Sequence, residues 1–379
     1  MINVAKNNNY NLSGLEKIIN CISWNDRRVK NFHQSLGNKE TPIVSLPGLA
    51  SSLGIKKLLL KDESKRFGLS SFKALGASYA MNNEVEKNPK IKVFCTATDG
   101  NHGRSVAWMS RKLGRKAVVY MPKETIQARV DAIKKEGAKV FVISGGYDTA
   151  VREASNYVDK GNKRNSYRSF SLIQDTAWGG YENIPLDIMR GYSTQISEIS
   201  NQISGEKIDV LFLQSGVGSW AASVIGYITR KWKHIPFFVS VEPYSANCLY
   251  ESIKTGYRVT VENDKKTNMA GLNCGSVSSI AWKILKNGLS GSLSISEKLS
   301  EKAIRALVFK TQSDPKILSG ESGAAGLAGL IGLCKTDKFK NFKNKIRLNS
   351  MSTVLVINTE GITDPLNFQK VVGDNGTKQ

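Results

Sequence analysis

Short apolar runs rich in valine, isoleucine, leucine and phenylalanine alternate along the chain with longer segments of helical periodicity. The runs are KKLLLKD (56–62), KVFCTAT (92–98), KAVVYMP (116–122), KVFVIS (139–144), FSLIQD (170–175), DVLFLQS (209–215), FFVSVEP (237–243) and TVLVINTEG (353–361). Each has the length and composition of a strand. NHGRSVAWMSRKLG (101–114) and TIQARVDAIKKEGA (125–138) lie between them and read as amphipathic helices. Strands alternating with helices of this length predict βαβ units and an α/β fold with mainly parallel sheets. Several runs are almost continuously apolar, as expected where helices cover both faces. The eight strands are enough for two sheets. KNNNYN near the start and VVGDNGTKQ at the end are polar and are expected to fray.

Composition narrows the class. The 379 residues are 40% hydrophobic and 23% charged, as in a globular protein of one large or two ordinary domains. No apolar run reaches the roughly 18 residues of a membrane span. The first residues lack the charged and apolar regions of a signal peptide, so a cytoplasmic location is expected. The five cysteines are scattered and only three histidines occur, which leaves metal-centred chemistry without a ligand pattern. The net charge is +22, from 54 basic and 32 acidic residues. The basic residues are dispersed. The densest run, KTDKFKNFKNKIR (335–347), is expected to be a solvated loop with an amphipathic turn. No specific nucleic-acid motif accompanies the charge, which reads as solubility plus attraction for small anions.

In parallel sheets ligands bind beyond the carboxyl ends of the strands, so the residues that follow each run carry the chemistry. After KVFCTAT come Asp99, Gly100, Asn101, His102 and Gly103, two glycines around a polar pair at a helix start. An ordinary βα turn would look the same. After DVLFLQS come Gly216, Val217, Gly218 and Ser219, a short glycine loop feeding a helix that suits one phosphate group. It is neither a triphosphate loop nor a full dinucleotide fingerprint, because position 221 is alanine. Asp175 follows FSLIQ, and Asn358, Thr359 and Glu360 close the last strand. SGESGAAGLAGLIGL, from Ser319, is rich in small residues, as at a tightly packed helix or one that begins beside a ligand. Lys73, in SSFK, opens a helix whose dipole disfavours a cation. Together these groups match the needs of pyridoxal 5′-phosphate, which has an aldehyde for a lysine, a ring and a single phosphate.

KDESKRFGLSSFKALGASYA, ATDGNHGRSVAW, QDTAWGGYENIP, QSGVGSWAASVIGYI, MAGLNCG and SGESGAAGL resemble, in order, segments of the diaminopropionate ammonia-lyases. These are fold-type II pyridoxal-phosphate enzymes related to threonine dehydratases and cysteine synthases. The resemblance runs from about residue 40 to 365 and is most specific in KDESKRFGL and TDGNHGR. It implies a homodimer with a smaller domain (84–195) inserted into a larger one (1–83 with 196–379). It implies that Lys73 forms the Schiff base with the cofactor and that Asn101 bonds the ring hydroxyl oxygen. Gly216, Val217, Gly218 and Ser219 would hold the phosphate, and Asp99 and Asp175 would face the substrate. Cys248 and Cys274, 26 residues apart, are by default two free thiols in a reducing cytoplasm; they fall where the family also has cysteines, which keeps a local pair open as the alternative.

Three positions depart from the expected pattern. Trp220 and Ala222 stand where smaller residues, glycine in particular, are expected. Asn358 stands where relatives often place a serine or threonine against the pyridine nitrogen, and Thr359 is the alternative. The implied reaction is a carbon–nitrogen lyase elimination that turns 2,3-diaminopropionate into pyruvate and two ammonia molecules. The competing readings are a serine/threonine dehydratase or β-replacement enzyme of the same fold, a cofactor-binding or polyanion-binding descendant without the reaction, and a nicotinamide oxidoreductase.

Overall fold

The structure, a computed structural model, describes residues 1–165, 167–262, 266–309 and 314–377, with side chains as far as 373. Chain packing divides it into two compact units. Unit one comprises Met1–Trp24, Glu40–Lys65 and Gln195–Gln379, and unit two comprises Asn25–Lys39 and Arg66–Thr194. The strands are β1 (Ile2–Lys6), β2 (Ile43–Ser45), β3 (Lys57–Asp62), β4 (Val93–Ala97), β5 (Lys116–Pro122), β6 (Lys139–Ile143), β7 (Phe170–Leu172), β8 (Val210–Gln214), β9 (Phe237–Pro243), β10 (Leu289–Ile295) and β11 (Thr353–Asn358). All eight expected strands form.

Unit one holds a 7-stranded sheet in the order β1-β10-β9-β8-β11-β3-β2. Its interior pairs are parallel, and the edge strands β1 and β2 are antiparallel. Leu58, Leu60, Val210, Phe212, Val239, Val241, Val354 and Val356 alternate along their strands and enter one core. Their neighbours Leu59, Leu211, Phe238 and Leu355 face the other way and are buried too. That double burial explains why these strands read as unbroken apolar runs.

Unit two holds a 4-stranded parallel sheet in the order β6-β5-β4-β7. One face packs Cys95 and Val118 against Ala150, Ala154 and Val158 of the helix Tyr147–Lys163. The other packs Val119 and Met121 against Val130 and Ile133 of the helix Gln127–Lys135 and Ala107 of Asn101–Lys112.

Three strands were not expected, and each lacks the usual signal. β10 is LSGSLSI, seven buried residues of which four are serine or glycine. Serine fits there because Ser240 Oγ donates to Ser292 Oγ at 2.7 Å across the β9–β10 pair. β2 is only three residues long. β1 corrects the expectation of a frayed start, since it pairs with β10 from Ile2↔Ile295 to Lys6↔Gly291. Asn7, just beyond it, is buried and donates from Nδ2 to the carbonyls of Lys286 and Leu289, both at 2.7 Å. At the other end the helical segment Pro365–Thr377, broken at Gly373 (φ +66°), includes the start of the stretch expected to fray, and Val371 and Val372 before the break are buried; residues 378–379 lie outside the described residues. The basic run forms the short helix Lys340–Lys345, an amphipathic turn whose Phe342 enters the core against Gly291. Cys248 and Cys274 are both buried, and the structure keeps them as separate thiols. Among the described residues no helix is long and apolar enough to cross a membrane.

Candidate active site

Lys73, Asp99, Asn101 and Asp175 belong to unit two, whereas Gly216, Val217, Gly218, Ser219 and Thr359 belong to unit one.

In unit two, β4 and β7 run side by side in parallel, with Val93 opposite Phe170 and Cys95 opposite Leu172. Their carboxyl ends therefore emerge together, and Asp99 and Asp175 follow them. The buried side chain of Gln174 ties the two ends. Its Oε1 accepts from Ala97 N at 3.1 Å and from Thr96 Oγ1 at 3.0 Å, and its Nε2 donates to Ala97 O at 3.1 Å. Thr98 shapes the turn between them, its hydroxyl accepting from Gly100 N at 2.9 Å and Gly103 N at 3.1 Å. Gly103 has no room for a side chain: a Cβ would stand 2.3 Å from Thr98 Cγ2. Asn101 is half-buried and opens the helix Asn101–Lys112.

Lys73 is the first residue of the helix Lys73–Lys87, which packs against Asn101–Lys112 and Asn183–Gly191. Its Nζ donates to Asp175 Oδ2 at 2.5 Å, with the lysine side chain 19% and the aspartate side chain 7% exposed. Burial alone would raise the Asp175 carboxyl, but the Lys73 ammonium and His102 outweigh it and hold the carboxyl at about 2. Asp99 behaves in the opposite way. It keeps some surface, yet the protein around its carboxyl desolvates it enough to push it up to about 7. Arg129 pulls against that shift and Asp175 adds to it. His102 Nε2 donates to the Ile173 carbonyl at 2.8 Å, which leaves Nδ1 as a buried lone pair without a protein partner. Burial lowers its pKa, Asp175 opposes this, and Lys73 reinforces it. Tyr192 Oη is likewise buried without a partner, on a ring that occupies the place of a side chain at Gly76.

In unit one, β8 and β11 are also parallel neighbours and end at the same edge. Gly216–Ser219 follows β8 and leads into the helix Ser219–Lys231. A Cβ on Gly216 would lie 3.0 Å from Cys274 Sγ and from the Gly271 carbonyl. Gly218 has φ +84°, and a Cβ there would strike Leu285 Cδ1 at 2.6 Å. The N-cap of this helix is Gly218, which has no side chain of its own to cap it. Its start is thus a backbone cradle that suits a single phosphate. Trp220 is accommodated by burial, with its Nε1 donating to Gln195 Oε1 at 2.8 Å.

Beside this loop the two candidates at the end of β11 separate. Asn358 is engaged: its Nδ2 donates to Asp62 Oδ1 at 2.8 Å and Leu318 O at 3.1 Å, and its Oδ1 accepts from Ser319 Oγ at 2.7 Å. Thr359 Oγ1 accepts from Gln214 Nε2 at 2.9 Å and keeps its own proton to give. The SGESG segment packs directly on this edge, with Gly320 N donating to Glu360 O and Ser322 N to Glu360 Oε1, both at 3.1 Å.

Within unit two, a lysine with a carboxylate partner suits the aldehyde of pyridoxal phosphate; within unit one, a single-phosphate cradle and a buried hydroxyl with a spare proton suit its phosphate and ring nitrogen. His102, Tyr192 and Gln214 were not singled out as site residues. His102 stood inside a quoted motif, where its signal was legible. A lone tyrosine or glutamine gives none.

Comparison with known proteins agrees. Residues 34–360 match the model of the pyridoxal-phosphate dependent enzyme family. The chain is 39% identical over 364 residues to diaminopropionate ammonia-lyase of Escherichia coli, covering 90% of each chain. It is 39% identical over 370 residues to that of Salmonella typhimurium, again covering 90% of each. The E. coli enzyme, solved in complex with an aminoacrylate–pyridoxal phosphate azomethine reaction intermediate, superposes with a TM-score of 0.88 at 36% identity, over 99% of this chain and 97% of that one. Threonine deaminase isoform 2 of Solanum lycopersicum shares the fold, with a TM-score of 0.74 at 21% identity over 100% of this chain and 98% of that one. The chain is therefore a fold-type II member of the pyridoxal-phosphate dependent enzymes and belongs to the diaminopropionate ammonia-lyase family.

Proposed function

We propose that the protein converts 2,3-diaminopropionate and water into pyruvate and two molecules of ammonia. The observation that carries this reading is the pair of carboxylates in unit two, which follow the neighbouring parallel strands β4 and β7, with Asp175 on Lys73 Nζ at 2.5 Å; the Lys73 ammonium pulls the Asp175 carboxyl down and burial pushes that of Asp99 up. Carboxylate pairs with separated pKa values divide the work of charge stabilisation and proton transfer.

Pyridoxal phosphate supplies the electron sink that makes loss of the C2 proton and departure of the C3 amine feasible. In the residue assignments proposed here, Lys73 would hold its aldehyde carbon, Asn101 would bond the ring hydroxyl oxygen, Gly216–Ser219 would receive the phosphate, and Thr359 would donate a hydrogen bond to the pyridine nitrogen. Asp175 offers a negative charge to the substrate's C3 ammonium, which takes the place of the Lys73 ammonium as its cationic partner, an attraction that the neutral hydroxyl of serine or threonine lacks. The Lys73 amine, displaced by the incoming amino acid, takes the C2 proton of one enantiomer. Asp99, when ionised near neutral pH, takes that of the other. The C3 ammonium already carries its proton and departs as ammonia, so the proton held on Lys73 or Asp99 remains available to C3 as the product becomes pyruvate. The family resemblance further supports a cytoplasmic homodimer.

The cofactor assignment is tested by loading the protein with pyridoxal phosphate and reducing it with borohydride. The label is expected on the peptide that carries Lys73 and is expected to vanish in Lys73→Ala. A label on another lysine would refute the assignment.

A further inference from the structure

Gln214 ends β8 and is buried, and its amide is oriented by its surroundings. Nε2 lies 2.8 Å from the Ile357 carbonyl, 3.1 Å from the Gly323 carbonyl and 2.9 Å from Thr359 Oγ1. Two carbonyls can only accept, so the nitrogen and not the oxygen of the amide must face them; its two protons then serve three acceptors, with the longest contact, to Gly323 O, sharing one of them. An amide nitrogen has no acceptor capacity. The Thr359 hydroxyl therefore receives at this contact and cannot give.

This orientation leaves two buried polar groups wanting. Among the described residues Gln214 Oε1 has no partner, and Gly326 keeps the space beside it clear, since a Cβ there would stand 2.8 Å away. The Thr359 proton has no acceptor recorded among the described residues. Methionine would fill the same volume without an orphaned oxygen, so packing alone does not account for an amide at this position.

We propose that Gln214 is a positioning residue: by donating to Thr359 Oγ1 from a nitrogen held between two carbonyls, it turns the Thr359 hydroxyl into a fixed donor for an unprotonated pyridine nitrogen. The inference rests on the proposed role of Thr359 toward the cofactor and goes beyond it. It assigns the direction of that hydrogen bond to a residue that does not itself touch the cofactor.

A double-mutant cycle on pyridoxal phosphate affinity tests it, using the full-length chain freed of cofactor and titrated with pyridoxal phosphate alone. Thr359→Val is expected to weaken binding about tenfold, the equivalent of one hydrogen bond. Gln214→Met is expected to weaken it severalfold in the parent, but less than about twofold in the Thr359→Val background, because the two act through one contact. Gln214→Glu keeps the shape of the side chain but presents an acceptor; it is expected to capture the Thr359 proton and weaken binding as Gln214→Met does, which covers the case in which the methionine variant does not fold. Thr359→Ser retains the hydroxyl and is expected to retain the dependence on Gln214. If Thr359→Val leaves affinity unchanged, the assignment of Thr359 to the cofactor fails and this inference with it. If Thr359→Val weakens binding but the glutamine and threonine effects multiply independently, only the role of Gln214 is overturned.

Discussion

Asp99 and Asp175 follow neighbouring strands of one sheet, yet their partners differ. Asp175 has the Lys73 ammonium at 2.5 Å, while Asp99 is desolvated and has Arg129 as its opposing charge. The difference gives each a distinct effect on stability against pH. The folded pKa of Asp99 is raised to about 7, above the roughly 3.9 of an unfolded aspartate. The folded state then holds the proton longer, so the contribution of the neutral acid is complete below pH about 4 and is lost as pH rises towards 7. Asp99→Asn removes that loss, so thermal unfolding should show the variant gaining on the parent across this window. Asp175 is depressed to about 2, so its contribution is present above pH about 4 and is lost as pH falls towards 2. Lys73→Ala should abolish that acid-side dependence. Equal pH profiles for parent and variants would mean that the carboxyls are not perturbed in this way.

At the scale of elements, the site depends on turns that only glycine can make. Gly218→Ala would force a side chain into a left-handed conformation and against Leu285, and Gly103→Ala would drive a Cβ into Thr98. Each should cost about 1–3 kcal/mol in denaturant unfolding. Gly218→Ala should in addition weaken pyridoxal phosphate binding, because it distorts the proposed phosphate cradle. An alanine at position 218 that costs nothing would contradict the tight geometry. The same turns explain how much could be read in the sequence. Strands buried on both faces announce themselves as apolar runs, and the residues just after them are where ligand chemistry belongs, so Lys73, Asp99, Asp175 and the glycine loop all stood out. β10 did not, because four of its seven buried residues are serine or glycine rather than branched apolar side chains. The pyridine-side pair Asn358 and Thr359 could not be separated by sequence either. What distinguishes them is which hydroxyl or amide is already spent, through contacts to Asp62, Leu318, Ser319 and Gln214 far along the chain.

At the scale of the whole molecule, unit one contains a lysine and a glutamate with almost no access to water. Lys61 is 0% exposed and donates to Glu198 Oε2 at 2.9 Å, to the Thr41 carbonyl at 2.7 Å and to Gln202 Oε1 at 2.9 Å. Removing one partner strands a buried charge, so Glu198→Ala should destabilise the protein by about 3–5 kcal/mol without touching the proposed chemistry. A change below 1 kcal/mol in unfolding would show that water reaches the pair. The net charge of +22 has no counterpart in a nucleic-acid motif and remains a property of the surface as a whole.

The central claim is the reaction itself, and one assay addresses it most directly. Purified protein loaded with pyridoxal phosphate is given D- and L-2,3-diaminopropionate separately, with serine and threonine as controls, and product formation is followed beside the Lys73→Ala variant. Pyruvate from diaminopropionate well above that from serine, 2-oxobutyrate from threonine staying low, and loss of product in the variant is the predicted result. Turnover of serine or threonine in preference to diaminopropionate would contradict it.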